Sequence, residues 1–409
     1  MRPGAWVAAA AAAVGVAAMV WWTGAFDPSG ARAGEPVAAA APSADAASHE
    51  AAEQAGESAS PGLGRAPLSA QGLRAQAEKL RLWQARYERA EQVYASYRDA
   101  TRYPHESRPL AEHPDQIRPF DPITEEKALR DARGEAIPGL RLRTTQDRVF
   151  LSATDTVRFS IEALDEQGQR VALIVRSAAA QSIADTSIPV PVIATHLAFA
   201  DNGTGGDLQA GDGIHTALLA PAQQGFERYD GTIRVLAQVA AKGFQGVVHF
   251  DVIYAPGVPA TWLGVREAAE GGSLNFYLKA LVNVPGRYVV SGRVDDAQGQ
   301  PFALVQFNQE LPSGEQEMRL QVFGALIRDK TPVFPLRLRD VEGFVLYPDR
   351  FPDRALMPRW SGVVHQSARY PYERFSSNEW NSEERERYLA EYARDADEAR
   401  RQVEALLPR

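Results

Sequence analysis

Three aspartates and an asparagine stand among five glycines between residues 199 and 216 of the sequence. The carboxylates belong to Asp201, Asp207 and Asp212, and Asn202 adds an amide oxygen. Ca²⁺ takes six to eight oxygen ligands, which carboxylates and the carbonyls of glycine turns could supply. An extracellular module needs to bind calcium only at about 10⁻⁴ to 10⁻³ M. The residue types therefore predict a calcium site with these four side chains as ligands.

The same residues have a second interpretation, in which the loop is only a connection between two strands. Asp and Asn side chains bond to nearby backbone in turns, and glycine supplies positive φ angles. The spacing is not that of an EF-hand, because Gly203 and Gly205 stand where the third and fifth ligands would be. The sequence leaves both interpretations open, a calcium site and a structural loop.

The segment resembles the Asp-x-Gly-x-x-Gly-Asp-x-x-Ala-Gly-Asp-Gly loop of immunoglobulin-like domains on bacterial surface proteins, of the choice-of-anchor X type. It departs from the family at Asn202, where a second aspartate is common, and at His215, where a tyrosine is usual. It matches at nine positions: Asp201, Gly203, Gly206, Asp207, Ala210, Gly211, Asp212, Gly213 and Ile214. The resemblance implies an immunoglobulin-like sandwich in an exported protein, and it implies no reaction.

Composition excludes several classes of function. The formal net charge of -8 argues against a nucleic-acid partner, because no basic surface is available to neutralise phosphates. The chain has no cysteine, which excludes disulfides, thiolate metal sites and a lipidated cysteine anchor. Motifs of serine hydrolases, zinc proteases, phosphate-binding loops and dinucleotide-binding loops are also absent from the sequence.

The apolar N-terminal sequence predicts that the protein is exported from the cytoplasm. Residues 1–26 contain an apolar run long enough to span a membrane, and Arg2 places the N-terminus in the cytoplasm. A cleaved signal peptide is the alternative, since Ala31-Arg32-Ala33 offers a cleavage site. Residues 27–67 read as a disordered Ala/Ser/Pro linker. We expect a single-pass protein of the cell membrane whose C-terminal bulk is periplasmic or extracellular.

Residues 68–138 predict a long helix followed by a Pro-rich strap. The helix carries a heptad-like seam, typical of coiled coils, formed by Leu73, Leu80, Trp83, Tyr87, Ala90, Tyr94 and Tyr97. We expect this seam to pack on the protein's own β-structure or on another copy, with a membrane or an acidic partner as the alternative. A short helix is expected at about 123–133.

The rest of the chain predicts a mainly β fold. Residues 139–256 and 257–348 each read as an immunoglobulin-like β-sandwich, because short alternating strands follow one another without helices between them. Val157, Phe159 and Ile161 show this alternation clearly. Residues 349–409 read as an irregular strap and a C-terminal helix. Two tandem sandwiches are thus expected, flanked by an N-terminal transmembrane helix, a long heptad-like helix and a C-terminal helix.

Carboxylates elsewhere offer little for catalysis. Asp295 and Asp296 fall in an expected hairpin turn, and Asp340 and Glu342 alternate in an expected strand, where they should face solvent. The sequence therefore favours a non-catalytic scaffold or interaction protein, with an envelope protein or a polysaccharide as partner. A polysaccharide- or peptidoglycan-binding accessory protein is one alternative, with an aromatic platform from Trp360, Tyr370, Tyr372 and Trp380. A carboxylate-based hydrolase is the other.

Overall fold

A computed structural model of the chain describes residues 69–131, 133–183 and 192–407. The predicted anchor or signal peptide at 1–26 and the predicted linker at 27–67 lie outside the described residues. Within the described ranges, no helix combines the length and the apolar character that crossing a membrane requires.

The described residues are mainly β-structure, as the sequence predicted, and contain nineteen strands and three α-helices. Eleven strands belong to the first half: β1 (Ser107–Pro109), β2 (Ile123–Arg130), β3 (Ala136–Gln146), β4 (Phe150–Ser152), β5 (Val157–Leu164), β6 (Arg170–Val171), β7 (Leu173–Ser182), β8 (Ala194–His196), β9 (His215–Leu219), β10 (Gly231–Ala241) and β11 (Phe244–Ala255). Eight follow: β12 (Ala260–Glu270), β13 (Ser273–Val282), β14 (Gly286–Asp295), β15 (Pro301–Leu311), β16 (Gly314–Val322), β17 (Arg337–Leu346), β18 (Arg354–Leu356) and β19 (Trp360–Gln366). The helices are α1 (Ala70–Ala100), α2 (Gly324–Lys330) and α3 (Glu383–Leu406).

Strands β2 to β11 form two sheets around one hydrophobic core, called here the first two-sheet unit. One sheet has the order β2-β3-β5-β6 with β9 also paired to β5, and the other has the order β4-β11-β10-β7-β8. Val157, Phe159 and Ile161 are fully buried between them, because alternate side chains of a strand point to one face. The ring of Phe159 lies 4.8 Å from that of Phe250 on the opposite sheet.

The remaining strands form a second two-sheet unit with its own core. Its larger sheet has the order β1-β15-β14-β17-β18, with β19 also paired to β17, and its smaller sheet has the order β12-β13-β16. Phe276 and Leu278 of the smaller sheet and Val290 and Val305 of the larger sheet are fully buried in this core.

Several strands lie outside the ranges expected for the sandwiches. Strand β2 and the start of β3 precede residue 139, and β18 and β19 follow residue 348. Strand β1, inside the predicted strap, pairs with β15 of the second unit. Proline-rich and charged segments carry weak strand signals, so their pairing depends on the edges that the stronger strands leave open.

The short helix expected at 123–133 is wrong, because residues 123–130 form β2 and pair with β3. The run of Glu and Lys favours helix in isolation, but pairing overrides that preference. Glu126 receives hydrogen bonds from Arg141 at 3.0 Å and from Arg143 at 2.9 and 2.7 Å across the strands. Leu129, only 1% exposed, reaches the core.

The long helix is present as α1, and it packs against α3 as an antiparallel helical pair. Gln76 Nε2 donates to the Leu406 carbonyl at 3.0 Å at one end. At the other end the ring of Tyr97 lies 5.8 Å from Tyr388 and 5.2 Å from Tyr392. Within the chain, the seam was expected to pack on β-structure, and this expectation is corrected, because α1 packs on α3.

The contact between the two helices leaves α1 largely open to solvent. Ala396 and Ala399 of α3 are buried, whereas α1 has no buried residue along its 31 residues. The seam positions from Leu80 to Tyr97 are half-buried, and Leu73 is exposed. Ser69 and Ser382 cap the two helices by accepting hydrogen bonds from Gly72 N and Arg385 N.

Candidate functional site

The acidic loop, residues 199–214, begins where the chain crosses from one sheet of the first unit to the other. Leu197 N donates a hydrogen bond to the carbonyl of Ala178 in β7, whereas Ala200 pairs with Thr216 of β9. The loop then turns back on itself through five glycines with positive φ angles, which side chains rarely adopt: Gly203, Gly205, Gly206, Gly211 and Gly213. The glycines fold the loop tightly enough to bring distant carboxylates together.

Asp201 organises the far end of the loop through three backbone amides. Its Oδ1 accepts hydrogen bonds from Gly211 N at 2.6 Å and Asp212 N at 3.2 Å, and its Oδ2 accepts one from Gly213 N at 2.9 Å. The Gly213 amide is the main reason that the pKa of Asp201 lies below its usual range, and the other two amides and His215 add to the effect. The carboxylate is therefore ionised and held in place.

Asp207 and Asp212 complete the cluster. Asp207 is 8% exposed and accepts from Gly203 N at 2.6 Å, while Asp212 Oδ1 accepts from Ile214 N at 2.9 Å. One carboxylate oxygen from each of the three aspartates lies within 4.8 Å of the other two. The fold thus assembles the three carboxylates that the sequence proposed as calcium ligands.

Asn202, the fourth proposed ligand, is engaged in a local turn. Its Oδ1 accepts hydrogen bonds from Thr204 N at 3.0 Å and Thr204 Oγ1 at 2.7 Å. This arrangement is the side-chain-to-backbone turn that the structural interpretation expects. The geometry is compatible with both interpretations of the loop, since an oxygen that accepts one N–H bond retains a lone pair for a cation.

Two arginines beside the loop were not singled out from the sequence. Arg170 donates from Nη1 to the Asp212 carbonyl at 3.2 Å and forms an ion pair with Glu162. Arg158 lies under the loop, because a Cβ added to Gly206 would be 3.7 Å from its Nε. Arg158 lies on β5 and Arg170 on β6, so both strands place a guanidinium against the backbone of the loop.

An open groove of about 570 Å³ adjoins the loop. Its walls come from the start of β7, including Ile174 and Val175, and from Phe199, Asp201 and His215 across from it. His215 Nδ1 is buried and has no hydrogen-bond partner within the described part of the chain. Polar and apolar atoms contribute almost equally to the surface of the groove, and among the described residues that line it the ionisable side chains are one carboxylate and one imidazole.

The four aromatic residues proposed as a sugar-binding platform are distributed over separate contacts. Trp360 lies 6.0 Å from Trp262, and Tyr370 and Tyr372 each pack 6.1 Å from Phe334. Trp380 donates its backbone N–H to the Arg102 carbonyl, near the end of α1 and the beginning of α3. Tyr370 and Tyr372 thus belong to one aromatic cluster around Phe334, whereas Trp360 belongs to a separate pair with Trp262.

Asp340 and Glu342, expected to face solvent, instead take part in ion pairs. Glu342 Oε1 accepts from Arg293 Nη2 at 2.7 Å, and Arg293 is fully buried. Asp340 binds Arg339 at 2.7 Å and lies at a strand irregularity with a positive φ of 50°. The segment around Gln116, whose carbonyl also accepts from Arg293, covers this network, and strand alternation alone could not foresee that cover.

Comparisons with known proteins identify no family. No family model matches the chain, and no curated protein matches it. Among solved structures, the chain is similar to a DUF4785 family protein from Legionella pneumophila, with a TM-score of 0.37 and 12% identity over 55% of this chain and 57% of that one. It is also similar to domains 4-9 of surface layer protein SbsC, with a TM-score of 0.16 and 11% identity over 49% of this chain and 39% of that one. A third similarity is to dimeric latent PorU from Porphyromonas gingivalis, with a TM-score of 0.16 and 10% identity over 59% of this chain and 34% of that one. The chain spans less than two thirds of each of these structures, and the similarities are too weak to support an argument about function.

Proposed function

We propose that this protein is an exported, membrane-tethered, non-catalytic scaffold that presents two immunoglobulin-like units to partners in the cell envelope. The observation that carries the proposal is the attachment of the helical pair to the second two-sheet unit. Arg102 and Arg385 share Glu379, at 2.9 and 2.6 Å, and Arg102 also binds Asp329 of α2 at 2.7 Å. A helical pair fastened in this way works as a stiff extension of the β-structure.

The direction of the helical pair suits a spacer between a membrane and a binding body. Helix α1 has 31 residues, so at 1.5 Å per residue it extends about 46 Å. Its first residues follow directly on the predicted tether, and its last residues contact the second two-sheet unit. A flexible linker followed by a rigid spacer would let the two β-units reach partners away from the membrane.

The chemistry of the groove supports a role without catalysis. Asp201, the carboxylate in its wall, uses both oxygens to accept three backbone hydrogen bonds. A general base needs a lone pair directed at substrate and a pKa near the working pH, whereas the pKa of this group is lowered. The arrangement suits fixation of the loop better than proton transfer.

Calcium is the ligand we propose for the acidic loop, in the role of a fastener of the first unit. The supporting observation is the approach of three carboxylate oxygens to within 4.8 Å of one another, which a divalent cation would stabilise. Asp201, Asp207 and Asp212 would be its ligands, and the Asn202 oxygen would join only after leaving Thr204. The cation would hold the beginning, middle and end of the loop together, since its three carboxylate ligands come from these three parts.

The proposal is tested in a bacterial host that expresses the full chain with a C-terminal epitope tag. We expect the tag in the membrane fraction and open to protease added to spheroplasts, whereas a chain that begins at residue 27 stays in the cytosolic fraction. Cross-linking of the membrane-bound chain, with and without EDTA, should then capture a defined envelope component. A full chain that is cytosolic, or one that captures no component under either condition, would contradict the proposal.

A further inference from the structure

Strand β7 leaves part of one edge open in the first two-sheet unit. Along its other edge it pairs with β10 from Leu173 to Ser182, with one bulge at Arg176. On the open side, β8 pairs only with Ala179, Ala180 and Gln181, and Leu197 adds one bond to Ala178. Residues 173–177 have no ladder partner on that side among the described residues.

The open edge forms one wall of the groove described above. The chain that would have covered residues 173–177 departs at Phe199 and Ala200 to join the other sheet, and this departure creates the groove. Ile174 is 61% exposed there. Five strand residues extend about 17 Å, enough to pair with a short segment of another chain.

The groove has polar features that a bound segment could satisfy. His215 Nδ1 is buried and no described residue forms a hydrogen bond with it, a condition that costs free energy until a partner arrives. Asp201 lies in the wall at the loop end, with Asp207 and Asp212 close behind it. That end of the groove therefore favours a positively charged group.

We propose that this groove binds an extended peptide segment of a protein partner, which adds to the open edge of β7 as a further strand. Its apolar side chains lie beside Ile174 and Phe199, and a lysine or arginine lies at the Asp201 end. An exposed strand edge offers main-chain donors and acceptors at the spacing of another strand, which is how edge-binding domains recognise peptides. The proposal rests on the proposed scaffold function and names the class of partner.

A peptide fits these features better than a sugar or a lipid does. The unpaired N–H and C=O groups of a strand edge recur with the strand repeat, and only another backbone matches them along the whole length. The apolar wall at Ile174 and Phe199 and the acidic end add the side-chain selectivity that an edge alone lacks. We therefore expect selection for alternating apolar residues and for one basic residue.

The test uses the full chain in EDTA and a fluorescein-labelled peptide of sequence Lys-Val-Thr-Val-Thr-Val-Thr. Fluorescence anisotropy should show saturable binding, and hydrogen exchange should show protection of residues 173–177. A peptide methylated on alternate backbone nitrogens should not bind, because it cannot pair with the edge. Replacing its lysine by glutamate should weaken binding at low salt, and the difference should shrink as salt increases.

Variants of the protein locate the binding surface. Ile174→Lys should weaken binding about tenfold, a loss typical of an important contact. Val247→Lys is the matched control, because Val247 is 56% exposed on the same sheet and lies outside the groove, and it should bind as the native chain does. Equal binding of the N-methylated peptide, or equal loss in both variants, would overturn the edge proposal.

The outcomes separate this proposal from the scaffold function. Absence of binding for all the peptides, in a chain that still fractionates with membranes and captures an envelope component, would reject the groove alone. Capture that survives in Ile174→Lys would place the partner on another surface and would also reject it. Loss of membrane location in the native chain would instead reject the scaffold function.

Discussion

Arg102 holds Asp329 through two parallel hydrogen bonds, from Nε to Oδ2 at 2.7 Å and from Nη2 to Oδ1 at 3.1 Å. Tyr103 donates a third bond to Asp329, at 2.9 Å. Burial, together with this bond, raises the pKa of the Tyr103 hydroxyl to about 12. Residues at the end of α1 are thereby joined to α2, and the helical pair shares the stability of the second two-sheet unit.

Replacing Asp329 by alanine should therefore loosen the base of the helical pair. We expect a loss of about 1.5 kcal/mol in the free energy of unfolding, a value reduced for the partial solvent exposure of both side chains. Urea titration followed by tryptophan fluorescence measures it. Asp99→Ala is the control, since Asp99 and Arg98 are both largely exposed and their pair should contribute almost nothing. Equal losses in the two variants would contradict the role of Asp329.

The same contact predicts a dependence on acid pH. The hydrogen bond from Arg102 holds the pKa of Asp329 below its usual range, against the opposing effect of burial. The folded pKa is lower than the unfolded value of about 3.9, so the stabilisation is complete above that value and is lost as pH falls through the folded pKa. We expect the urea midpoint of Asp329→Asn to fall less steeply below pH 4 than that of the native chain. If the urea midpoints of the two chains fall in parallel with pH, Asp329 is not the group that causes the loss of stability in acid.

The strands with strong alternation could be predicted from sequence because their pattern is local. Val157, Phe159 and Ile161 alternate with polar residues and are buried as expected. Strand β2 could not be predicted, since its Glu and Lys residues favour helix and its strand state depends on Arg141 and Arg143 of β3. The local sequence pattern determines the secondary structure of a segment only where pairing with a neighbouring strand does not override it.

Contacts between distant parts of the chain could not be predicted from the sequence. The heptad-like seam of α1 correctly indicated a packing face, but the residues that cover it, such as Tyr388 and Tyr392, follow about 300 positions later. The clustering of carboxylates in the acidic loop could be predicted from the sequence, because they lie within twelve residues and the glycines between them predict tight turns. The adjoining groove was missed, since it depends on where two strands change sheets.

The ion pair between Arg293 and Glu342 is a contact of this kind, and it predicts how a substitution of Glu342 changes stability. Arg293 is fully buried and donates to Glu342 at 2.7 Å and to the Asp340 carbonyl at 2.9 Å. Glu342→Ala should lower the free energy of unfolding by about 3 kcal/mol, because it leaves a buried positive charge without its partner. Glu342→Gln, which keeps an acceptor, should lose less. Thermal and urea denaturation measure both variants.

The control for Glu342 is the exposed ion pair between Arg266 and Glu317. These side chains approach to 2.6 Å, but they are 54% and 43% exposed. Glu317→Ala should change the free energy of unfolding by less than about 0.5 kcal/mol, as is usual for surface pairs. A larger effect in Glu317→Ala than in Glu342→Ala would show that burial of Arg293 is not decisive.

A turn in the first unit predicts a stabilising substitution. Lys242 and Gly243 form the two-residue turn between β10 and β11, with φ angles of 50° and 83°. A left-handed conformation is unfavourable for lysine and is tolerated by asparagine, the preferred residue of such turns. Lys242→Asn should raise the unfolding free energy by about 0.5 kcal/mol, whereas Lys242→Ala should not. A lower melting temperature for the asparagine variant would contradict this account.

The acidic loop gives the prediction closest to function. If calcium binds with a Kd of about 1 mM, 10 mM calcium should stabilise the first unit by about 1.4 kcal/mol and raise its melting temperature. Asp207→Ala and Asp212→Ala should abolish that rise. Asp165→Ala is the control, because Asp165 also accepts two turn amides, from Gln167 and Gln169, but lies outside the cluster. Differential scanning calorimetry with calcium and with EDTA measures the effect, and a melting temperature indifferent to both would assign the three carboxylates to turn formation alone.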